Sequence, residues 1–115
     1  PRDYSFHVPR KVRARALASA LSDKVARGRL LVVEGLGVAE PKTREAVKLL
    51  RDLGVEGKAL LVVAEDDRDL ALAVRNLPKV ELLHVSQINT HDVLWADTVV
   101  TTPAAVEALQ EARLP

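Results

Sequence analysis

Two kinds of apolar pattern alternate along the chain. Residues 30–33, 59–63, 80–85 and 98–101 are short runs rich in Val and Leu, the pattern of parallel strands covered on both faces. Between them the apolar residues recur at helical spacing. Residues 10–27 place Leu17, Leu21 and Val25 on one side, with Pro9 as a first-turn proline and Gly28 as a C-terminal cap. Thr43 is positioned to cap a second helix whose apolar side is Ala46, Val47, Leu49, Leu50 and Leu53, ended by Gly54. Asp66 or Asp67 caps a third helix, running to about residue 75. A short fourth begins at Asn89 and runs through Leu94, and Thr102-Pro103 opens a fifth that packs Val106 and Leu109. Residues 1–9 read as an extended arm, because Pro9 biases the residue before it toward extended backbone.

Strands that alternate with helices imply a parallel sheet, since parallel neighbours need long crossover connections. The expected fold is α/β: a three-layer sandwich with a mostly parallel four-stranded sheet, Rossmann-like in arrangement. The 115 residues suit one globular domain over 1–115. No repeat, low-complexity tract or linker interrupts them.

Composition narrows the chemistry. There is no Cys, which excludes disulfides and thiol catalysis, and His7, His84 and His91 are too scattered for a zinc cluster. No apolar run reaches the roughly 18 residues of a membrane span, neither a signal peptide nor a lipidation signal is visible, and the lack of Cys suits a reducing cytoplasm. The net charge of +1 taken alone argues against a nucleic-acid protein. Resolved along the chain it reads differently. Residues 1–29 hold eight basic and two acidic side chains, a net +6, while the remainder holds nine basic and fourteen acidic, a net −5. Such asymmetry points to a localised anionic partner.

Ligands of open α/β sheets bind beyond the carboxyl ends of the strands. Glu34-Gly35 follows the first strand and Glu65-Asp66-Asp67-Arg68-Asp69 the second. A strand ending in Glu-Gly and a later one ending in Asp-x-Asp resembles the Toprim domain of primases and topoisomerases. That resemblance implies a magnesium-dependent nucleic-acid enzyme with Glu34, Asp67 and Asp69 as ligands. The same acids also serve as helix caps and first-turn charges. Gly35-Leu36-Gly37 lacks the third glycine of a dinucleotide fingerprint, and neither a phosphate loop nor a nucleophile elbow occurs. His84 reads as a packed or rim histidine. These residues assemble no catalytic set and require no cofactor.

The basic end carries the stronger signal. Arg13, Ala16, Ala20, Lys24 and Arg27 recur every three to four residues, forming a stripe beside the Leu17, Leu21, Val25 face. Small alanines between cations allow close approach to a phosphate backbone, which Arg binds bidentately. Arg2, Tyr4, Phe6 and His7 add cations and aromatic rings beside Arg10, Lys11 and Arg15, a mixture suited to phosphates and exposed bases.

Several ordered segments extend this picture: Pro1-Arg2-Asp3-Tyr4-Ser5, Pro9-Arg10-Lys11-Val12-Arg13, Ala20-Leu21-Ser22-Asp23-Lys24, Glu40-Pro41-Lys42-Thr43, Arg75-Asn76-Leu77-Pro78, Asn89 with Asp92-Val93-Leu94, and Asp97-Thr98-Val99-Val100. In this order they resemble the globular domain of the bacterial large-subunit ribosomal protein four family. Two positions depart from the family pattern: His91 stands where Tyr is usual, and Trp95-Ala96 where Arg-His is frequent. Trp95 is read as a packing residue. The resemblance implies an α/β sandwich with a structural, non-enzymatic role in the cytoplasmic ribosome. Its implied partners are large-subunit ribosomal RNA, neighbouring ribosomal proteins and, as in some members, the leader of its own messenger RNA. With the basic end read as the gripping surface, the expected RNA contacts are Arg2, Tyr4, Arg10, Lys11, Arg13, Arg15, Lys24 and Arg27, with Lys42 and Arg44 as secondary contacts. The family's N-terminal portion and basic tunnel loop have no counterpart here, so the sequence is read as a piece of a longer chain.

Overall fold

The computed structural model describes residues 10–34 and 36–113, with side chains described over 15–110 apart from Gly35. The expected arm, residues 1–9, lies outside the described residues. Four strands, β1 (Leu30–Val32), β2 (Ala59–Val63), β3 (Val80–His84) and β4 (Thr98–Thr101), alternate with five helices: α1 (Arg10–Ala26), α2 (Thr43–Asp52), α3 (Arg68–Val74), α4 (Thr90–Trp95) and α5 (Pro103–Arg113). The strands form one sheet in the order β1-β4-β2-β3, every pair parallel. The expected three-layer α/β sandwich is therefore the observed one.

The chain steps from β1 over β4's position to β2, on to β3, and then back to β4. Crossovers between parallel strands are right-handed, so reversing direction moves the connecting helix to the opposite face. Accordingly α2 and α3 pack on one face, where Ala46, Leu70, Ala73 and Val74 meet Leu61, Val63 and Val100. Ala20 of α1, Val93 of α4 and Ala105 of α5 cover the other, against Leu60, Val62 and Val99. Successive residues of β2 thus point to opposite cores, as the two-residue strand period demands. All five residues of β2 and all four of β4 are buried, each large side chain contributing about 1.5–3 kcal/mol.

Most helix boundaries follow the expected local chemistry. Asp67 caps α3 by accepting from Leu70 N–H at 3.0 Å, and Asn89 caps α4 by accepting from Asp92 N–H at 2.9 Å. Thr102 Oγ1 accepts from Ala105 N–H at 3.2 Å at the start of α5. After α1, Gly28 adopts φ +68°; its N–H reaches Val25 O and that of Arg29 reaches Lys24 O, the paired bonds of a left-handed C-terminal cap. Several details differ from the sequence expectation: α1 stops at Ala26 and β1 at Val32, each one residue short of the expected end. Lys42, not Thr43, is the N-cap of α2 and makes no side-chain capping bond. α4 extends one residue further, to Trp95. β3 stops at His84, where the expected run continues to Val85. His84 Nδ1 accepts from Ser86 N–H and Gln87 Oε1 accepts from His84 N–H, and this reciprocal capping turns residues Val85–Gln87 into a 3-10 turn.

Two polar features accompany this packing. Gly57 has φ +76°, and a Cβ there would lie 2.4 Å from Asp97 Oδ2, the carboxylate that accepts from Lys58 N–H at 2.9 Å. Gly57→Ala therefore combines left-handed strain of about 1–2 kcal/mol with a clash. We expect a lower unfolding midpoint in denaturant melts, part of it restored when Asp97→Ala is added. Glu81 of β3 faces α4: burial, then the charge and side-chain hydrogen bond of Asp92, raise its pKa above the ordinary Glu value, with His91 acting in the opposite sense. A carboxyl whose folded pKa exceeds its unfolded one destabilises the fold once ionised, progressively as pH rises through the folded pKa. Glu81→Gln is expected to raise Tm at neutral pH, with the gain over the parent vanishing below the ordinary Glu range. An equal Tm difference at both pH values contradicts this.

Candidate nucleic-acid interface

The interface expected from sequence centres on α1, and its buried face is rotated from the one anticipated. Leu17, Ala20 and Leu21 pack against the sheet and α4, and Lys24 continues that line with 9% exposure, whereas Val25 is 60% exposed. The positions 17, 20, 21 and 24 share one side of a helix by the i, i+3, i+4, i+7 rule, so Lys24 occupies the core position that Val25 was expected to fill. Its aliphatic stem is buried, and its ammonium donates to the Ala96 carbonyl at the C-terminal end of α4. A cation there meets unsatisfied carbonyls and the negative end of the helix dipole. The expected cationic stripe is thereby corrected: Ala20 and Lys24 face inward, and of its described members Ala16 and Arg27 remain exposed.

The exposed side of α1 carries Arg15, Ser19, Ser22 and Ala26, with Asp23 beside them, and Arg27 stands just past the helix end, about a third of a turn round from Arg15. Arg15 and Arg27 lie about 18 Å apart along the axis, by the helical rise, with small side chains and Asp23 between them. Arg27 Nε lies 3.2 Å from Asp23 Oδ2 in a pair whose side chains are 70% and 49% exposed; exposed pairs of this kind are worth little and exchange readily for another anion. Lys42 and Arg44 stand at the start of α2, both beside Glu40 Oε2, at 3.2 and 3.8 Å. Arg10, Lys11 and Arg13 fall in the first turn of α1, with side chains outside the described residues. Arg2 and Tyr4 lie outside the described residues altogether.

Glu34, Asp67 and Asp69 do line one open cleft, of about 520 Å³, at the carboxyl ends of β1, β2 and β4. They do not form a metal centre: among the described residues no group of three or more His, Cys, Asp or Glu is placed to hold a metal ion, and Asp67 is engaged as the cap of α3. The Toprim-like reading is therefore unsupported, because local helix capping explains the residue that it most needs. His84 is half-buried, with Nε2 at 2.8 Å from Ala64 O and Nδ1 capping the 3-10 turn, a structural position. Trp95 packs against the cluster beneath α1 and α4, with Lys58 Nζ 5.8 Å from its ring centroid.

The sequence reading missed a set of cations on the body of the fold. Arg29, Lys58 and Lys79 each immediately precede a strand, and all three are exposed. Asp97, before β4, stands among them. Its pKa is lowered chiefly by the Lys58 N–H bond and further by the charges of Lys58, Lys24 and Arg29, against the opposing effect of burial. The available signal was a basic residue just ahead of an apolar run, which has no spatial meaning until strand order is known.

A model of the Ribosomal protein L4/L1 family matches residues 1–112. Large ribosomal subunit protein uL4 of Carboxydothermus hydrogenoformans is 43% identical over 111 residues, covering 96% of this chain and 54% of that protein. The protein of the same name from Moorella thermoacetica is 41% identical over 111 residues, with the same coverage. The chain spans about half the length of the curated relatives it matches.

The buried position of Lys24 generates a stability prediction. Lys24→Met keeps the stem but leaves the Ala96 carbonyl without its donor, which costs about 1–3 kcal/mol for a buried acceptor. We expect a lower midpoint in chemical denaturation; an unchanged midpoint shows that the ammonium–carbonyl bond contributes nothing.

Proposed function

The chain belongs to the Ribosomal protein L4/L1 family, and on that premise we propose that it is a structural constituent of the large ribosomal subunit that grips ribosomal RNA through α1 and the residues preceding it. The role is scaffolding, not catalysis, in the cytoplasmic ribosome. The observation that carries the reading is the exposed side of α1, where Arg15 stands with Ser19, Ser22 and Ala26 and Arg27 follows just past the helix end. Small side chains let a phosphate backbone approach the helix while guanidinium groups bond it from both ends. Arg2, Arg10, Lys11 and Arg13 extend the same grip toward the N-terminal side, with Tyr4 stacking on an exposed base and Lys42 and Arg44 as a secondary patch. Lys24 acts from inside, by fixing α1 on α4.

Cations that bond phosphates position a backbone and do not read bases. The same face therefore accepts the leader of the chain's own messenger RNA, and repression of translation would follow from competition between the two RNAs. Neighbouring ribosomal proteins meet the rest of the body, whose acidic carboxyl-end loops suit basic neighbours. Among the described residues no helix is long and apolar enough to cross a membrane.

Arg15→Gln with Arg27→Gln tests the proposal. Binding of large-subunit ribosomal RNA is measured across a range of salt concentrations, and each lost phosphate contact reduces the slope of log K against log salt by about 0.7–0.9. We expect the slope to fall by about 1.4–1.8, with weaker incorporation into large subunits and an unchanged unfolding midpoint. Parental affinity, slope and incorporation would remove the reading.

A further inference from the structure

We propose that the amino-terminal edge of the sheet is a second phosphate-binding surface for RNA, formed by Arg29, Lys58 and Lys79 and continuous with the end of α1. The inference rests on the RNA-binding reading and deepens it, since it assigns contacts to the body of the fold, whose sequence is net acidic.

Parallel pairing brings the three cations together. Ala59 pairs with both Thr98 and Val80, so β2, β3 and β4 begin in register, and Leu30 pairs with Val99, so β1 begins one residue further along and Arg29 stands level with Thr98. The residues just ahead of them are tied across the edge by backbone bonds: Arg29 O accepts from Val99 N–H, Lys58 O from Asp97 N–H and Lys79 O from Ala59 N–H, each at 2.8 Å. In strand order the row reads Arg29, Asp97, Lys58, Lys79, spanning about 14 Å at the usual strand spacing. Among the described residues none of the three cations has a carboxylate within 4.0 Å. Asp97 sits between two of them, but one of its oxygens is committed to Lys58 N–H. Arg27 and Arg29, at the end of α1, line a polar recess of about 360 Å³ with Lys24, Glu56, Gly57 and Asp97, which joins the row to the helix face.

The opposite edge has the opposite character. Glu34, Glu65, Asp66, Asp67 and Asp69 gather beyond the carboxyl ends of β1 and β2, with Arg68 alone among them as a cation in the same cleft. An RNA backbone therefore meets attraction at one edge and repulsion at the other. This orients the fold so that α1 and the amino edge face the nucleic acid together.

Two measurements test the row. In the triple variant Arg29→Gln, Lys58→Gln, Lys79→Gln, the slope of log K against log salt for large-subunit ribosomal RNA is expected to fall by about 2–3 units. Glu65→Gln with Asp66→Asn on the other edge should not lower it. A full slope in the triple variant, with a reduced slope in the α1 variant, overturns the row while leaving the helix reading intact; full slopes in both overturn the two together. The second measurement uses the unsubstituted chain and so does not depend on the variant's folding. Lysine acylation footprinting should show Lys58 and Lys79 protected by the RNA and Lys48 of α2 unprotected. Equal reactivity of all three with and without RNA overturns the proposal. So does protection of Lys58 and Lys79 that appears only in assembled subunits and not with naked RNA, which assigns the row to an acidic protein neighbour.

Discussion

Parallel strand pairing places every strand start on one edge of the sheet and every strand end on the other. It also forces each connection to travel the full length of a strand, so helices cover both faces and the two central strands become wholly buried. In this chain β2 and β4 are those strands, and the burial of Leu60, Leu61, Val62, Val99 and Val100 holds the layers together. Whatever chemistry stands in the short segments before and after the strands is then sorted by edge. The basic residues at positions 29, 58 and 79 and the acids at 34, 65, 66, 67 and 69 fall on opposite sides of the molecule for this reason alone.

The second determinant is the seating of α1. A helix rich in Arg, Lys and Ala has little apolar surface with which to dock, and here it docks through Leu17, Ala20, Leu21 and the stem of Lys24. Burying an ammonium is costly unless its donors are satisfied. The Ala96 carbonyl provides an acceptor where the dipole of α4 is negative, and the Asp97 carboxylate beside it adds favourable charge. The bond therefore joins α1 to α4 and fixes which arginines of the helix face outward.

Much of the fold was legible in the residues. The strand positions, the caps at Asn89 and Thr102, a cap at Asp66 or Asp67, and the glycine after α1 were all readable, because each rests on short-range chemistry: an apolar run, or a side-chain oxygen beside an N–H. The boundary differences have equally local causes, such as the capping of a 3-10 turn by His84. The site was legible only in part. That charge concentrates near α1 follows from the sequence, but the phase of that helix did not: Leu17, Leu21 and Val25 gave one rotation, while packing chose another in which Val25 is exposed and Lys24 buried. The Asp-x-Asp pair after β2 offered a metal reading that the cap of α3 replaces.

By itself, then, the sequence determined the element types, the parallel class of the sheet and the concentration of cations at the start of the chain, since periodicity, capping chemistry and charge are properties of neighbouring residues. Only the tertiary structure decided the strand order, the rotation of α1, the internal role of Lys24 and the gathering of Arg29, Lys58 and Lys79 into one row. Those depend on contacts between residues tens of positions apart, which packing and strand register select and no local pattern encodes.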